Sequence, residues 1–202
     1  MQLSTDIHRL FADISRNEKS AFDALFRAYY ARLVKFAAAY LSETALAEEV
    51  AADVFVALWQ NRVSLSKIEN PESYLYIAAK NRCLNALRKN PVVKVSMDEQ
   101  PHLHNQFADT FSEDMVHREL HAKLNALVDA LPEQRRLIFR MIKEDELTAR
   151  QTAEILNLSV RTVESQIYKA VKTLEAEITA YLGYSPRQAR NSKTRVLLMA
   201  FM

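Results

Sequence analysis

The stretch that most constrains the fold is TARQTAEILNLSVRTVESQIYKAVKTL, which runs from Thr148 to Leu174. Thr148 stands three residues before Gln151, a spacing at which the two side chains can satisfy free backbone N–H groups at a helix start. That helix should end just before Asn157, because asparagine tolerates the left-handed conformation of a tight turn. Ser159 is then a good N-cap for a second helix. The stretch therefore predicts two helices joined by a short turn.

The second of these helices has two distinct faces. Its apolar residues recur at steps of three and four, which predicts a buried stripe made of Val163, Ile167, Ala170, Val171 and Leu174. The opposite face carries Arg161, Glu164, Ser165, Tyr168, Lys169 and Lys172. Such side chains can hydrogen-bond to base edges and phosphates, and the small Ala153 lets the two helices pack closely. We interpret the pair as a helix-turn-helix, although the residues alone also allow an ordinary helical hairpin with a solvated face.

The composition favours helices. The 202 residues include one glycine and five prolines, and 49% are hydrophobic, whereas sheets would need more turn residues. We expect an all-α protein with two small helical domains. The single cysteine, Cys83, excludes an internal disulfide and a cysteine-based zinc site. No apolar run approaches the roughly 20 residues of a membrane span, so we predict a cytoplasmic protein without membrane insertion.

Charge alternates along the chain. Residues 42–60 hold four acids and no base, and residues 61–94 hold seven Lys or Arg against two acids. Residues 95–119 hold six acids against one arginine. The alternation indicates separate surfaces for separate partners, although single runs of this kind are usually solvated helix faces.

The N-terminal region predicts a helical core. Residues 2–16 form a short amphipathic segment. Ser20 is expected to cap a helix, whose apolar stripe comprises Phe22, Leu25, Phe26, Tyr29, Leu33, Phe36 and Tyr40.

An acidic helix is expected to follow, starting at Ser42 or Thr44. Leu46, Val50, Val54 and Leu58 should face inward. This leaves Asp53, Phe55, Val56 and Trp59 beside the core stripe. An acidic helix that exposes aromatic groups is a plausible hot spot for a protein partner. The alternative is that Phe55 and Trp59 simply widen the core stripe.

A polar loop, residues 62–69, leads to a third helix that starts cleanly at Asn70-Pro71. Its predicted stripe is Tyr74, Ile77, Leu84 and Leu87, with Asn81 in the middle. Tyr76, Arg82, Arg88 and Lys89 lie alongside. Rings for stacking and cations for phosphate are what single-stranded nucleic acid requires, although a basic solvated helix with core tyrosines is the alternative.

Beyond Pro91 the chain predicts a linker and then a second domain. Residues 92–111 lack sustained periodicity. His102, His104, His117 and His121 are not accompanied by an HExxH pattern or a cysteine pair, so we predict no metal site. Ser112 is expected to cap a helix bearing Met115, Leu120, Leu124, Leu127 and Leu131, and Pro132 to start the next one. We therefore divide the chain into an N-terminal domain (1–90), an acidic flexible linker (91–111), a helix-turn-helix domain (112–182) and a basic and apolar tail (183–202).

The order of these motifs resembles the extracytoplasmic-function sigma factors of bacterial RNA polymerase. The similarity rests on AEEVAADVFVALWQ, NPESYLYIAAKNRCLNALRK, the acidic linker, LVDALPEQRRLIFRM and the helix-turn-helix, and it covers residues 21–182. The chain looks most like the short two-domain members frequent in Bacteroidetes. The resemblance implies a factor that directs RNA polymerase to specific promoters in response to an extracytoplasmic signal. It further implies core polymerase, promoter DNA and an anti-sigma factor as partners.

The resemblance also assigns roles to residues. It implies core-polymerase contacts at Asp53, Phe55, Trp59 and Gln60. It implies capture of the minus-ten element by the 62–69 loop and the helix after it, with Tyr74, Tyr76, Asn81, Arg82 and Arg88 as the DNA-binding set. At the minus-thirty-five element it implies that the bases are contacted by Glu164, Ser165, Tyr168 and Lys169. It implies that the DNA backbone is contacted by Arg150, Gln151 and Arg161, with Lys172 on the same face. Thr152 and Asn157 depart from the family, which usually has an aliphatic residue and a glycine or acidic residue there.

Other classes of function fit less well. An enzyme would need a phosphate loop, a nucleophile paired with a base, or a metal set, and none is present, so we expect no catalysis, cofactor or small-molecule substrate. The serious rival is a stand-alone helix-turn-helix regulator that binds duplex DNA as a dimer. Its dimerisation domain would need neither the acidic helix nor Asn81 in a basic, tyrosine-bearing helix. A structural helical adaptor would not need the polar face of the second helix.

Overall fold

The computed structural model describes residues 3–89 and 115–181, and all regular structure within these ranges is helical. The chain divides into two compact units, which fall mainly before and after residue 100. The predicted all-α fold with two helical domains is confirmed. The predicted linker (91–111), Ser112 and the tail (183–202) lie outside the described residues, and the predicted domain boundaries remain predictions.

The helices of the N-terminal unit are α1 (Leu3–Ser15), α2 (Lys19–Ala38), α3 (Thr44–Gln60), a short 3-10 helix (Arg62–Lys67) and α4 (Pro71–Lys89). Those of the C-terminal unit are α5 (Met115–Asp129), α6 (Glu133–Lys143), α7 (Ala149–Leu156) and α8 (Val160–Tyr181).

Helix α2 is the centre of the N-terminal core, because it packs against α1, α3 and α4. Its residues Leu25, Tyr29, Leu33 and Phe36 are all at most 3% exposed. Each such burial stabilises the fold by about 1.5–3 kcal/mol. Four of the seven residues predicted for this stripe are therefore core. Phe26, by contrast, is 37% exposed and belongs to a different surface.

The start of α2 differs from the prediction. Ser20 is not its N-cap, since the helix begins at Lys19 and Glu18 occupies the N-cap position without a side-chain hydrogen bond. The Glu18 N–H is bound to the Asp13 carbonyl at 3.1 Å, which closes α1, so the chain enters α2 directly after that turn. Helix α3 likewise has an uncapped Glu43 at its N-cap position, and begins at Thr44, one of its two predicted starts. Helix α4 begins at Pro71 as predicted.

The segment predicted as a polar loop is partly helical. Residues Arg62–Lys67 form a 3-10 helix in which Leu65 is only 1% exposed. Helix α1, in which Phe11 and Ile14 are buried, packs against this short helix. A single apolar side chain thus anchors a segment whose composition is otherwise typical of a loop.

The predicted stripe of α4 is wrong. The fully buried residues are Leu75, Tyr76, Ala79 and Cys83. Tyr74, Ile77, Leu84 and Leu87 are only half-buried, and Asn81 is exposed. Two neighbouring stripes on α4 both satisfy a helical period, and packing against α2 and α3 selects the one that includes Tyr76. The Tyr76 ring lies edge-on to Phe36 at 5.1 Å between centroids.

In the C-terminal unit, α8 packs against α5 and α6. A cluster of Val128, Leu131, Ala170 and Leu174 forms part of its core. Polar contacts close the turn between α5 and α6: Arg136 Nη1 donates to the Asp129 carbonyl at 2.8 Å, and Arg140 Nη2 donates to Asp129 Oδ1 at 2.5 Å. The described part of α5 begins at Met115.

Candidate functional site

The start of α7 has the predicted capping geometry. The Thr148 N–H donates to Gln151 Oε1 at 2.9 Å, and the Gln151 N–H donates to Thr148 Oγ1 at 3.2 Å. Two backbone donors that a helix start leaves free are therefore satisfied reciprocally. Gln151, which the sequence proposed as a DNA-backbone contact, is half-buried and has this structural role, whereas Arg150 is exposed.

The turn between α7 and α8 also follows the prediction. Asn157 has φ 56°, in the left-handed region. The Leu158 N–H donates to the Ala153 carbonyl at 2.9 Å and the Asn157 N–H to the Glu154 carbonyl at 3.3 Å, the hydrogen-bond pair of a Schellman motif. Ser159 Oγ then accepts from the Thr162 N–H at 3.0 Å and caps α8. Asparagine thus serves in a position where glycine is common.

Helix α8 presents its predicted polar face. Val163, Ala170 and Leu174 are at most 2% exposed, whereas Ile167 and Val171 are half-buried at the edge of the stripe. The exposed residues are Arg161, Glu164, Ser165, Tyr168, Lys169 and Lys172. Tyr168 is 67% exposed, which is unusual for so large a ring. Arg135 Nε of α6 donates to Gln166 Oε1 at 3.2 Å, so α8 is held to α6 by a polar contact beside that face.

A second candidate surface is an open groove of about 610 Å³ between α2 and α3. We call it the aromatic groove. It is lined by Lys19, Phe22, Asp23, Phe26, Ala52, Phe55, Val56, Trp59 and Gln60. Phe55 is its floor, with 2% exposure, and lies 4.9 Å from Phe26 between ring centroids. Trp59 lies 5.1 Å from Phe22 and is half-buried.

The aromatic groove combines the two readings that the sequence left open. Phe55 does widen the core stripe, while Trp59 contributes to the surface, and Asp53 and Gln60 are exposed on the same helix. The sequence placed Phe22 and Phe26 in the core and so missed their part in the groove. The available signal was their spacing with Tyr30, since aromatics at steps of four share one helix face.

The 3-10 helix begins with an arginine that has three contacts. Arg62 Nε donates to Asn17 Oδ1 at 2.9 Å, and Arg62 Nη1 donates to the Trp59 carbonyl at 2.9 Å. The guanidinium carbon lies 4.7 Å from the centroid of the Trp59 ring. The turn after α1, the end of α3 and the start of the 3-10 helix are thereby tied together.

The predicted nucleic-acid residues of α4 do not all reach the surface. Asn81 and Arg88 are exposed, and Arg82 is half-buried. Tyr74 is half-buried and lies edge-on to Phe11 at 6.2 Å. Tyr76 is 0% exposed, so it has no free ring face on which a base could stack. A DNA-binding surface on α4 therefore excludes the Tyr76 ring.

Two family models match the chain. Sigma-70 region 2 matches residues 25–91, and sigma-70 region 4 matches residues 121–174. Together they cover more than half of the chain. The chain belongs to the sigma-70 family. It is a sigma factor, a transcription initiation factor of the extracytoplasmic-function group, and sigma factors are not themselves catalysts.

Individual relatives agree with this assignment. The ferric citrate uptake sigma factor FecI of Escherichia coli K12 is 24% identical over 75% of this chain and 87% of its own. The ECF RNA polymerase sigma factor SigW of Bacillus subtilis 168 is 23% identical over 85% of this chain and 96% of its own. A solved structure of CnrH in complex with the cytosolic domain of CnrY has a TM-score of 0.51 at 20% identity, and covers 87% of this chain and 98% of that one. This likeness shows the fold.

The matched regions contain nearly all of the candidate residues of the sigma factor. Most of the aromatic groove and the predicted residues of α4 lie in region 2, and the polar face of α8 lies in region 4. Asn17 and three residues of the aromatic groove, Lys19, Phe22 and Asp23, precede the matched residues. Within the described residues there is no group of three or more His, Cys, Asp or Glu that could hold a metal ion. No described helix is both long enough and apolar enough to span a bilayer.

Proposed function

We propose that this sigma factor divides promoter recognition between its two units. Residues 1–90 bind core RNA polymerase and the minus-ten element, and residues 112–182 bind the minus-thirty-five element. Residues 91–111 connect these two parts of the chain. The observation that carries the proposal is the exposed polar face of α8, the second helix of a helix-turn-helix in which both helices are capped at their starts. A helix so presented is the form in which a major groove is read.

On α7 and α8 the roles follow from side-chain chemistry. Glu164, Ser165, Tyr168 and Lys169 are proposed to contact base edges, and Arg150, Arg161 and Lys172 the phosphates. Three cations against one acid between residues 160 and 172 can neutralise few phosphates. The electrostatic contribution to DNA binding is therefore small. We expect a dissociation constant of about 10⁻⁴ to 10⁻⁶ M for DNA, the range typical of non-specific binding.

The aromatic groove is proposed as the surface that binds core polymerase. Trp59 is a partly buried aromatic side chain, and such residues are the usual hot spots of protein interfaces. Gln60 lines the groove with it, and Asp53 is an exposed charge on the same helix. Phe55 is buried, so its proposed contribution is to hold the groove open from below.

The 3-10 helix and α4 are proposed to capture the single-stranded minus-ten element. Asn81 is an exposed amide that can pair with the edge of an unstacked base, and Arg88 is an exposed cation for phosphate. Tyr74 and Arg82 are half-buried beside them and support the surface.

Partner and compartment follow from this role. The sigma factor acts in the cytoplasm, where core polymerase and promoter DNA are found, without catalysis or cofactor. CnrH is bound by the cytosolic domain of CnrY in the similar solved structure. By analogy we propose that an anti-sigma factor controls this chain in response to an extracytoplasmic signal.

A footprinting experiment tests the proposal against the dimeric regulator. The purified sigma factor alone should give no tight footprint on its promoter, because neither unit binds strongly by itself. Addition of core polymerase should give one footprint over both elements, since two weak sites held together gain affinity through avidity. Nanomolar, sequence-specific binding by the isolated protein as a dimer would favour the regulator instead.

A further inference from the structure

We propose that Asn17, Arg62 and Trp59 form a clasp that positions the 3-10 helix for promoter opening, with Asn17 as a positioning residue. The proposal deepens the proposed function of the N-terminal unit and rests on it. The clasp is defined by the two Arg62 hydrogen bonds, to Asn17 Oδ1 and to the Trp59 carbonyl, both at 2.9 Å, and by the stacking of Arg62 on the indole.

The Asn17 end of the clasp is held by the backbone. Asn17 has φ 72°, and its N–H donates to the Ile14 carbonyl at 2.9 Å while the Glu18 N–H donates to Asp13 at 3.1 Å. This is a Schellman motif at the end of α1. Glycine, asparagine and aspartate tolerate the conformation, but among these only asparagine and aspartate offer a side-chain oxygen to Arg62.

The other end of the clasp reaches both proposed sites. Trp59 lines the aromatic groove, and Arg62 is the first residue of the 3-10 helix. In that helix Leu65 points into the core, whereas Val63 is 78% exposed and Ser64, Ser66 and Lys67 are exposed. Leu65 is thus the one buried residue of this six-residue helix. The clasp supplies a second point of attachment at the start of the segment.

Shared use of Trp59 links the two sites energetically. A partner that enters the aromatic groove contacts the same indole on which Arg62 stacks. If groove occupancy alters that stacking, the position of the 3-10 helix alters too, and the coupling must be reciprocal. Through the clasp, polymerase binding thus changes the position of the 3-10 helix, which belongs to the proposed minus-ten segment.

Two substitutions at one position separate positioning from folding. Asn17→Gly keeps the left-handed turn but removes the acceptor for Arg62. Asn17→Asp keeps both the turn and an oxygen acceptor. Each variant is assembled with core polymerase, and transcription is measured from a duplex promoter and from a template with a pre-opened minus-ten bubble.

We expect Asn17→Gly to lower transcription from the duplex by about two- to tenfold, the range for loss of one hydrogen bond. Transcription from the bubble template should stay within about twofold, the usual effect of a substitution on the surface. Asn17→Asp should restore duplex transcription. Arg62→Met removes all three contacts of Arg62 and should lower duplex transcription at least as much as Asn17→Gly. The double variant should be no worse than Arg62→Met, because the Asn17 bond is already lost there. Any other pattern, including equal losses on both templates or no rescue by aspartate, overturns the clasp.

A spectroscopic measurement tests the clasp without transcription. Trp59 is the only tryptophan of the chain, so its fluorescence reports on this site alone. Asn17→Gly should make Trp59 more accessible to acrylamide in the isolated protein, and Asn17→Asp should not. Unchanged quenching in the glycine variant overturns the clasp. Asn81→Ala on the same two templates tests the proposed function separately, because equal losses there would remove the melting role while the quenching result still judges the clasp.

Discussion

The Tyr29 hydroxyl donates a hydrogen bond to Glu72 Oε1 at 2.8 Å, across 43 residues of sequence. Tyr29 is buried in α2, and Glu72 lies in the first turn of α4, where a negative charge is favourable. The bond joins the helix that lines the aromatic groove to the helix that carries Asn81. It therefore contributes to the relative orientation of the two proposed N-terminal sites.

Tyr29→Phe should lower the free energy of unfolding of the N-terminal unit by about 1 kcal/mol, because a part-buried hydrogen bond to a carboxylate is lost. Urea denaturation followed by circular dichroism measures the change. The adjacent Tyr30, which stacks on Phe26 at 4.7 Å between centroids, is the control. Tyr30→Phe should change stability by less than about 0.5 kcal/mol. Equal stability of Tyr29→Phe and wild type would show that the bond is energetically neutral.

Thr152→Val should stabilise the C-terminal unit. Thr152 is 0% exposed, and its buried hydroxyl has no hydrogen-bond partner among the described residues, a state that costs about 1–3 kcal/mol. Valine has the same shape without the hydroxyl, and its gain should appear as a higher midpoint of thermal unfolding. Thr173→Val is the matched control on α8, since Thr173 is exposed and its hydroxyl donates to the Lys169 carbonyl. A lower midpoint for Thr152→Val would contradict the claim that the buried Thr152 hydroxyl destabilises the fold.

Cys83 should be unreactive in the folded protein. Burial raises the pKa of its thiol to about 12, so the nucleophilic thiolate is scarce at neutral pH. An aromatic disulfide reagent should label it only after denaturant is added. The raised pKa also makes the folded state less stable as pH rises from about 9, the ordinary pKa, towards about 12. Cys83→Ala should lack this component of the alkaline stability loss, and rapid labelling of the native protein would refute the prediction.

Trp59→Ala should weaken association with core polymerase by about 30-fold or more, the effect of removing a hot-spot aromatic. Asp53→Lys should also weaken it, with a stronger effect at low salt, because Asp53 is an exposed rim charge. Glu48→Lys, an exposed charge reversal nearer the start of α3, is the control. Binding is measured by fluorescence anisotropy with labelled sigma factor, and helical content by circular dichroism. If Trp59→Ala unfolds the N-terminal unit, Trp59 belongs to the core.

Asn81→Ala should lower transcription from a duplex promoter by about tenfold, the loss expected for one amide contact with a base edge. Transcription from a template with a pre-opened minus-ten bubble should fall far less, since the contact is proposed to assist opening. Asn85→Ala, an exposed amide one turn further along α4, is the control and should retain activity on both templates.

Much of the candidate site could be predicted from local sequence. All six polar residues predicted on α8 are exposed, because an amphipathic period of three to four residues sorts a helix face without reference to the rest of the chain. The aromatic groove could be predicted only in part. Trp59 was recognisable on an acidic helix, but Phe22 and Phe26 join it only when α2 packs on α3.

Local sequence specifies the caps and the turn of the helix-turn-helix. The Thr148–Gln151 box, the left-handed Asn157 and the Ser159 cap each close within five residues, so neighbouring residues in the sequence supply all of their partners. Helix packing, by contrast, decided which stripe of α4 is buried, and with it that Tyr76 lies in the core while Asn81 is exposed. It also decided that residues 62–67 are helical. In both cases several local patterns were permitted, and the burial of apolar area against α1, α2 and α3 selected among them.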